Sequence, residues 1–155
     1  MFKEMRQKRK LMPESDTIQI IREADYGTLA TLGANGYPYS VPLNYAYHNN
    51  SIYFHSAKEG NKIENITFNN HVSFSIVSYY KILPEKFDTE YDSVIVYGKV
   101  FEVTDSDEKK QALMLLIEKY SANFQHEGMA YIERAINAVS IYKIQVEHMT
   151  GKLGR

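Results

Sequence analysis

Apolar positions recur at helical spacing in four segments of the chain. The first segment follows Pro13, a residue tolerated in the first turn of a helix, and ends at Gly27. Asn61 is placed to cap the second segment, and Asp105 has capping-box spacing to Glu108 in the third. The apolar positions of the four patterns are Ile18, Ile21 and Ala24; Ile63 and Ile66; Leu113, Leu116, Ile117 and Tyr120; and Ile132, Ala135 and Ile136. We therefore predict four short amphipathic helices.

Between these helices the pattern changes to runs of β-branched and aromatic residues that are bounded by turn signals. A three-stranded meander is predicted over residues 28–55, with turns at 33–36 and 48–51. Pro38 and Pro42 lie in its middle strand and cannot donate to a ladder, so this strand is expected at an edge or with a bulge. Further strands are predicted at 72–77, 93–103 and 139–146, with a long loop through Lys81, Pro84, Lys86 and Asp88 between the first two.

This order of elements predicts a mainly β (α+β) protein. Six or so antiparallel strands carry one helix after the third strand and two before the last. An antiparallel sheet of this length usually avoids exposed edges by closing into a barrel, so we expect a barrel and not a doubly wound sheet. The length of 155 residues indicates a single domain, 1–155.

Residues 1–12 form a basic N-terminal arm, with five Lys or Arg residues and one Glu. Clustered basic residues can neutralise nucleic-acid phosphates. The rest of the chain is net acidic, however, and no basic stripe across a folded face is evident. We therefore favour an arm that is solvated or lies across a partner subunit, and we expect no nucleic-acid partner.

The composition excludes several classes of site. The chain has no cysteine, so disulfides, thiolate metal sites and thiol nucleophiles are absent. Its five histidines show no paired i, i+4 spacing, so no metal site is expected. No nucleophile elbow, Walker A loop or dinucleotide fingerprint occurs, and the carboxylates are scattered. No apolar run is long enough to span a membrane and no secretory signal is recognised, so a cytoplasmic protein without membrane contact is expected.

Two segments could bind a ligand. Residues 54–62 lie where a predicted strand ends and a helix begins, and they combine an imidazole, a hydroxyl and ammonium groups with free backbone N–H groups. This chemistry suits a phosphate, although a solvated loop of the same composition stays an open alternative. The proline-broken strand over 37–45 leaves backbone groups that could meet a flat heterocycle. Its prolines are also explained by protection of an edge strand.

Six stretches keep a characteristic order and spacing between residues 5 and 152. They are YGTLAT at 26–31, GYPYSVPLNY at 36–45, IYFHSAKEGNK at 52–62, LP at 83–84, YDSVIVYG at 91–98 and HMTGK at 148–152. Together they resemble the nitroimidazole-resistance (Nim-type) proteins of the pyridoxamine 5'-phosphate oxidase-like family of FMN-binding split barrels. The resemblance implies an antiparallel split β-barrel with peripheral helices, working as a homodimer with FMN at the interface.

The resemblance also implies site residues. His55, Ser56, Lys58 and Lys62 would bind the phosphate and ribityl end, and Pro42, Leu43, Asn44 and Tyr45 would line the flavin ring through backbone groups. Ser93 would approach the flavin from the second subunit, and so would Tyr91, which could also stack on the substrate. His55 is interpreted as a hydrogen-bond donor at the phosphate end or as a proton donor. No catalytic residue is assigned.

The function implied is reduction of small nitroaromatics such as 5-nitroimidazoles by reduced FMN, with NAD(P)H as the default reductant. FAD is an alternative cofactor, because its flavin mononucleotide half would fit the same cradle. A stretch resembling the pyridoxal-phosphate site of the oxidases is not visible, so oxidation of vitamin B6 is not expected. The alternatives left open are a redox sensor or store that binds flavin without turnover, and a heme-binding protein.

Overall fold

Seven antiparallel strands form one sheet in the order β2-β1-β5-β6-β7-β4-β3. The structure is a computed structural model that describes all 155 residues. The strands are β1 (Gly27–Leu32), β2 (Pro38–Leu43), β3 (Ala46–His48), β4 (Ser51–Ser56), β5 (His71–Leu83), β6 (Asp88–Glu102) and β7 (Ser140–Leu153). β2, which carries both prolines of the meander, is an edge strand as predicted.

Four helices accompany the sheet, as predicted: α1 (Glu14–Glu23), α2 (Asn61–Phe68), α3 (Ser106–Tyr120) and α4 (Gln125–Ala135). The Asp105 side chain accepts a hydrogen bond from the Glu108 backbone N–H at 2.9 Å, which confirms that cap. The prediction of an Asn61 cap is wrong. The residue before the helix is Gly60, whose φ of 130° is a backbone angle that only glycine adopts easily. Glycine has no side chain, so this end of the helix has no side-chain cap. None of the four helices combines the length and the apolar character needed to cross a membrane.

Residues 78–92, predicted as a loop, form the outer part of a long β-hairpin that consists of β5 and β6. Its strands pair as far as Leu83 and Asp88, with a short turn over residues 84–87. Polar residues in this stretch hide the strand pattern, because both faces of the hairpin are largely exposed beyond Val77 and no apolar alternation is needed.

The predicted strand over 37–47 is also interrupted, between Leu43 and Ala46, which gives the seventh strand. The interruption coincides with Tyr45, whose backbone N–H donates to the Tyr120 hydroxyl at 3.1 Å. The Tyr45 carbonyl in turn accepts from Lys119 Nζ at 3.0 Å. Because side chains of α3 satisfy both backbone groups, the segment needs no strand partner there.

Two apolar clusters lie on opposite sides of β4. Phe54 belongs to the main cluster, which is enclosed by the sheet and closed by Ile21 of α1. Tyr53 belongs to a smaller cluster beneath α3 and α4, together with Leu113 and Ile132. Side chains of a strand alternate between its faces, so His55 projects on the same side as Tyr53, toward these two helices.

The N-terminal arm lies against the sheet of its own chain. The Met12 backbone N–H donates to the Gly151 carbonyl at 2.9 Å, and the Phe2 ring stacks on Tyr97 and His148 with centroid distances of 5.1 and 4.8 Å. Most residues of the arm are nevertheless exposed, in keeping with the expected solvated arm. The stacking of Phe2 on the sheet could not be predicted from the basic charge of the arm.

Candidate functional site

Residues 55–62, the β4–α2 junction, bring basic side chains to the start of a helix. β4 ends with His55 and the buried Ser56, and α2 begins after Gly60 with Lys62 in its first turn. The first N–H groups of a helix have no intrahelical acceptor, and they give this end partial positive charge. The junction therefore offers donors and positive charge at one place.

The Lys62 ammonium is half-buried without an ion pair to a carboxylate. Its Nζ lies 5.7 Å from the centroid of the Phe54 ring, and burial lowers the pKa of Lys62. Burial and the Lys62 charge also lower the pKa of His55, so its imidazole is neutral at neutral pH. A bound anion would relieve both penalties, since it supplies the charge partner that the chain lacks.

Lys58, a predicted phosphate ligand, forms a hydrogen bond outside the β4–α2 junction. Its Nζ donates to the Asn137 carbonyl at 2.9 Å, which ties the junction to the segment after α4. Because this hydrogen bond is exposed to solvent, Lys58 can exchange the Asn137 carbonyl for another acceptor at little cost in free energy.

The predicted ring-binding segment, Pro42–Tyr45, is fixed by contacts from two helices. Asn44 Nδ2 donates to the Asp25 carbonyl at 3.0 Å. The Tyr45 ring is fully buried in the core, and its hydroxyl donates to the Ile21 carbonyl. Tyr45 thus anchors the segment, while Pro42 pairs with Thr28 of β1.

Lys119 and Tyr120, at the end of α3, hold this segment from the other side. The Tyr120 hydroxyl lies 2.6 Å from the Asp25 carbonyl, to which it donates, and it accepts from the Tyr45 N–H. Lys119 Nζ lies 3.8 Å from the centroid of the Tyr45 ring, and burial lowers the pKa of Lys119 to about 8. Neither role was predicted from the sequence, in which Tyr120 has the spacing of a core position of a helix.

A cavity of about 370 Å³, the α3–α4 cavity, lies beside this segment. Asn44 and His55 line it from the sheet, so the structure brings together residues from both predicted ligand segments. Its opposite wall consists of residues of α3, of α4 and of the turn between them, which include Tyr120, Phe124, Glu127 and Tyr131. This wall was not predicted from the sequence, whose only signal for it is the frequency of aromatic residues near 120–131.

Ser93 and Tyr91 lie on β6 and do not line the α3–α4 cavity. Ser93 pairs with Val77 and Lys152 in the sheet. The Tyr91 carbonyl accepts from the Gly154 N–H at 2.6 Å, and its ring lies 5.3 Å from Lys152 Nζ. Within one chain, therefore, these two residues stand apart from the other predicted site residues.

Comparisons with known proteins agree on the fold. A family model described as pyridoxamine 5'-phosphate oxidase matches residues 13–153. A crystal structure of a candidate 5-nitroimidazole antibiotic resistance protein from Bacteroides thetaiotaomicron is 30% identical, with a TM-score of 0.79 over 92% of this chain and 85% of that one. These matches confirm the predicted split barrel with peripheral helices.

Two more distant structures share the fold alone. A conserved hypothetical protein from Mycobacterium tuberculosis is 19% identical, with a TM-score of 0.82 over 99% of this chain and 91% of that one. An FAD and heme binding protein from Mycobacterium smegmatis is 14% identical, with a TM-score of 0.80 over 94% of this chain and 74% of that one. No curated protein sequence is significantly similar to the chain.

Proposed function

The chain belongs to the pyridoxamine 5'-phosphate oxidase family, and we propose that it is an FMN-dependent reductase of small nitroaromatic compounds. The similarity to a candidate 5-nitroimidazole antibiotic resistance protein supports this substrate class. NAD(P)H is the proposed electron donor. FAD is the alternative cofactor, because neighbours of the same fold are described as FAD-binding proteins.

The observation that carries the proposal is the unpaired positive charge at the β4–α2 junction. Lys62, the Ser56 hydroxyl, the His55 ring and the first turn of α2 suit the phosphate of a flavin nucleotide. The residues present thus fit the group, and Lys58 could join them by leaving the exposed Asn137 carbonyl.

We further propose that the functional unit is a homodimer. The β5–β6 hairpin exposes apolar side chains that nothing in the chain covers, among them Ile82 at 65% and Phe87 at 97% exposure. An apolar surface of this kind is typical of a protein interface. A second copy packed here would bury the hairpin that carries Tyr91 and Ser93, as the resemblance implies.

The flavin, when bound, would supply the electrons for reduction of the nitro group. The chain's own residues would position the reactants and control protons. His55, with its lowered pKa, is a neutral imidazole that can donate or accept a hydrogen bond beside the α3–α4 cavity. The apolar wall of α3 and α4 would exclude water from the substrate.

The visible spectrum of the purified protein tests cofactor binding. A flavin double band is expected, and chromatography of the cofactor released by heat distinguishes FMN from FAD. A colourless sample that binds neither flavin on addition would contradict the proposal, and a Soret band would indicate the heme-binding alternative.

Anaerobic mixing with NAD(P)H and then with a 5-nitroimidazole tests turnover. NAD(P)H should bleach the flavin, and the 5-nitroimidazole should reoxidise it. Absence of either step would indicate a flavin-binding protein without turnover.

Replacement of Lys62 by Ala tests the phosphate assignment. We expect the dissociation constant of FMN to rise by about tenfold or more, because a charge-assisted contact to the phosphate is lost. Riboflavin, which lacks the phosphate, should bind both proteins equally in a fluorescence titration. Lys110→Ala, a change at an exposed lysine of α3, is the matched control. Equal FMN affinity of Lys62→Ala and Lys110→Ala would place the phosphate elsewhere.

A further inference from the structure

The α3–α4 cavity is a small open groove with aromatic side chains on one wall. Its volume of about 370 Å³ is within the range of small-molecule sites and corresponds to a ligand of one or two rings. Phe124, Tyr131 and Tyr120 stand on its helical side with exposed fractions of 62%, 41% and 38%. Such rings offer flat apolar faces on which a planar molecule can stack.

Apart from His55, Glu127 is the only acidic or basic residue on the cavity wall. It lies one helical turn before Tyr131 on α4, so both side chains are on the same face of the helix. Its carboxylate forms no ion pair within the chain. The other titratable residues of the wall are His55, which is neutral, and two tyrosines. Lys62 is close enough to influence His55 but does not line the cavity.

We propose that this cavity is the substrate site, that it takes a small planar aromatic ring, and that Glu127 selects neutral or positively charged rings against anionic ones. The proposal rests on the proposed reductase function and adds the location and the charge preference of its substrate. Asn44 and His55 connect the cavity to both segments proposed to hold the flavin. A ring stacked there would therefore lie next to the proposed cofactor.

The charge of Glu127 gives the proposal its measurable consequence. A carboxylate on the ligand would be repelled by Glu127, whereas an ammonium group would be attracted. Since Glu127 is exposed, the attraction is screened by solvent, and a change of roughly fivefold in relative affinity is expected from one such pair. The effect should decrease as salt is added, because exposed charges are screened over about 10 Å at 0.1 M.

The test uses three probes of one ring size and different charge: 4-nitrobenzylamine, 4-nitrobenzyl alcohol and 4-nitrobenzoate. Their dissociation constants are measured at low salt by saturation-transfer NMR and by the change that they cause in the flavin absorbance. The expected order of affinity is cation, then neutral, then anion. Glu127→Gln should reduce the ratio of cation to anion affinity about fivefold and leave the neutral probe unchanged.

Glu133→Gln is the matched control, because Glu133 is an exposed residue of the same helix and does not line the cavity. It should leave all three dissociation constants unchanged. Equal ratios in wild type, Glu127→Gln and Glu133→Gln would overturn the proposal, and so would the absence of saturable binding. The NMR measurement needs no flavin signal, so it distinguishes failure of this inference from failure of the flavin proposal.

Discussion

Tyr120 is a single side chain that fixes the predicted ring-binding segment to a helix. Its hydroxyl lies within hydrogen-bond distance of the Asp25 carbonyl at 2.6 Å and the Tyr45 carbonyl at 3.0 Å. The hydroxyl has one proton, so it donates its hydrogen bond to the closer Asp25 carbonyl. The Tyr45 carbonyl accepts a hydrogen bond from Lys119 Nζ instead. The Tyr45 N–H then depends on the Tyr120 oxygen as its acceptor.

Replacement of Tyr120 by Phe leaves the Tyr45 backbone N–H without its acceptor, whereas the Asp25 and Tyr45 carbonyls keep Asn44 and Lys119 as donors. We expect the free energy of unfolding to fall by about 1–3 kcal/mol, which is the cost of an unsatisfied buried group. Urea titration of both proteins gives the difference. Tyr131→Phe is the control, since the Tyr131 hydroxyl makes no hydrogen bond within the chain and its loss should leave stability within about 0.5 kcal/mol. Equal stability of the two variants would show that Tyr120 does not hold the segment.

His55 provides a pH dependence whose sign follows from its lowered pKa. Its pKa is below the unfolded value of about 6.5, so the folded state binds fewer protons than the unfolded state in that range. The free energy of unfolding therefore falls as the pH falls below about 6.5. We expect His55→Asn to lose less stability than wild type between pH 7.5 and pH 5.5 in urea titrations. His126→Asn, at an exposed position of α4, should behave as wild type; a parallel loss in all three proteins would contradict the assignment.

At the scale of elements, alternation and capping made most of the structure predictable. The turn signal at 48–51 located the start of β4, and the spacing of Asp105 and Glu108 located the start of α3. These predictions succeeded because each depends on residues close in sequence.

The errors occur where a distant contact determines the local structure. The strand ends before Tyr45 because Tyr120, 75 residues away, satisfies its backbone. Residues 78–92 of the β5–β6 hairpin were predicted as a loop because their exposed faces carry no apolar alternation. The candidate site follows the same rule. The ligand-binding character of His55 and its neighbours could be predicted because these residues are close in sequence, whereas the residues of α3 and α4 on the cavity wall come near His55 only in the tertiary fold.

At the scale of the whole molecule, the β5–β6 hairpin is an apolar surface that one chain leaves exposed. Tyr80 and Ile82 project on one face of β5, with Tyr91 directly opposite Tyr80 on β6. Tyr80 is 69% exposed, and the exposed fraction of Ile82 is 65%. A second copy that covers this face would remove from water the apolar surface that a single chain exposes.

Replacement of Ile82 by Lys tests this arrangement. An ammonium group in an apolar interface must lose its hydration without a charge partner, so we expect the dimer of two 18.0-kDa chains to dissociate. Light scattering coupled to size-exclusion chromatography measures the mass, and the absorbance of the same peak measures bound flavin. Both should fall together, because the proposed flavin site needs Ser93 from the second subunit. Met114→Lys changes an exposed apolar residue of α3, away from the hairpin, and should preserve both. A monomeric Ile82→Lys variant that retains its flavin would show that one chain suffices to bind the cofactor.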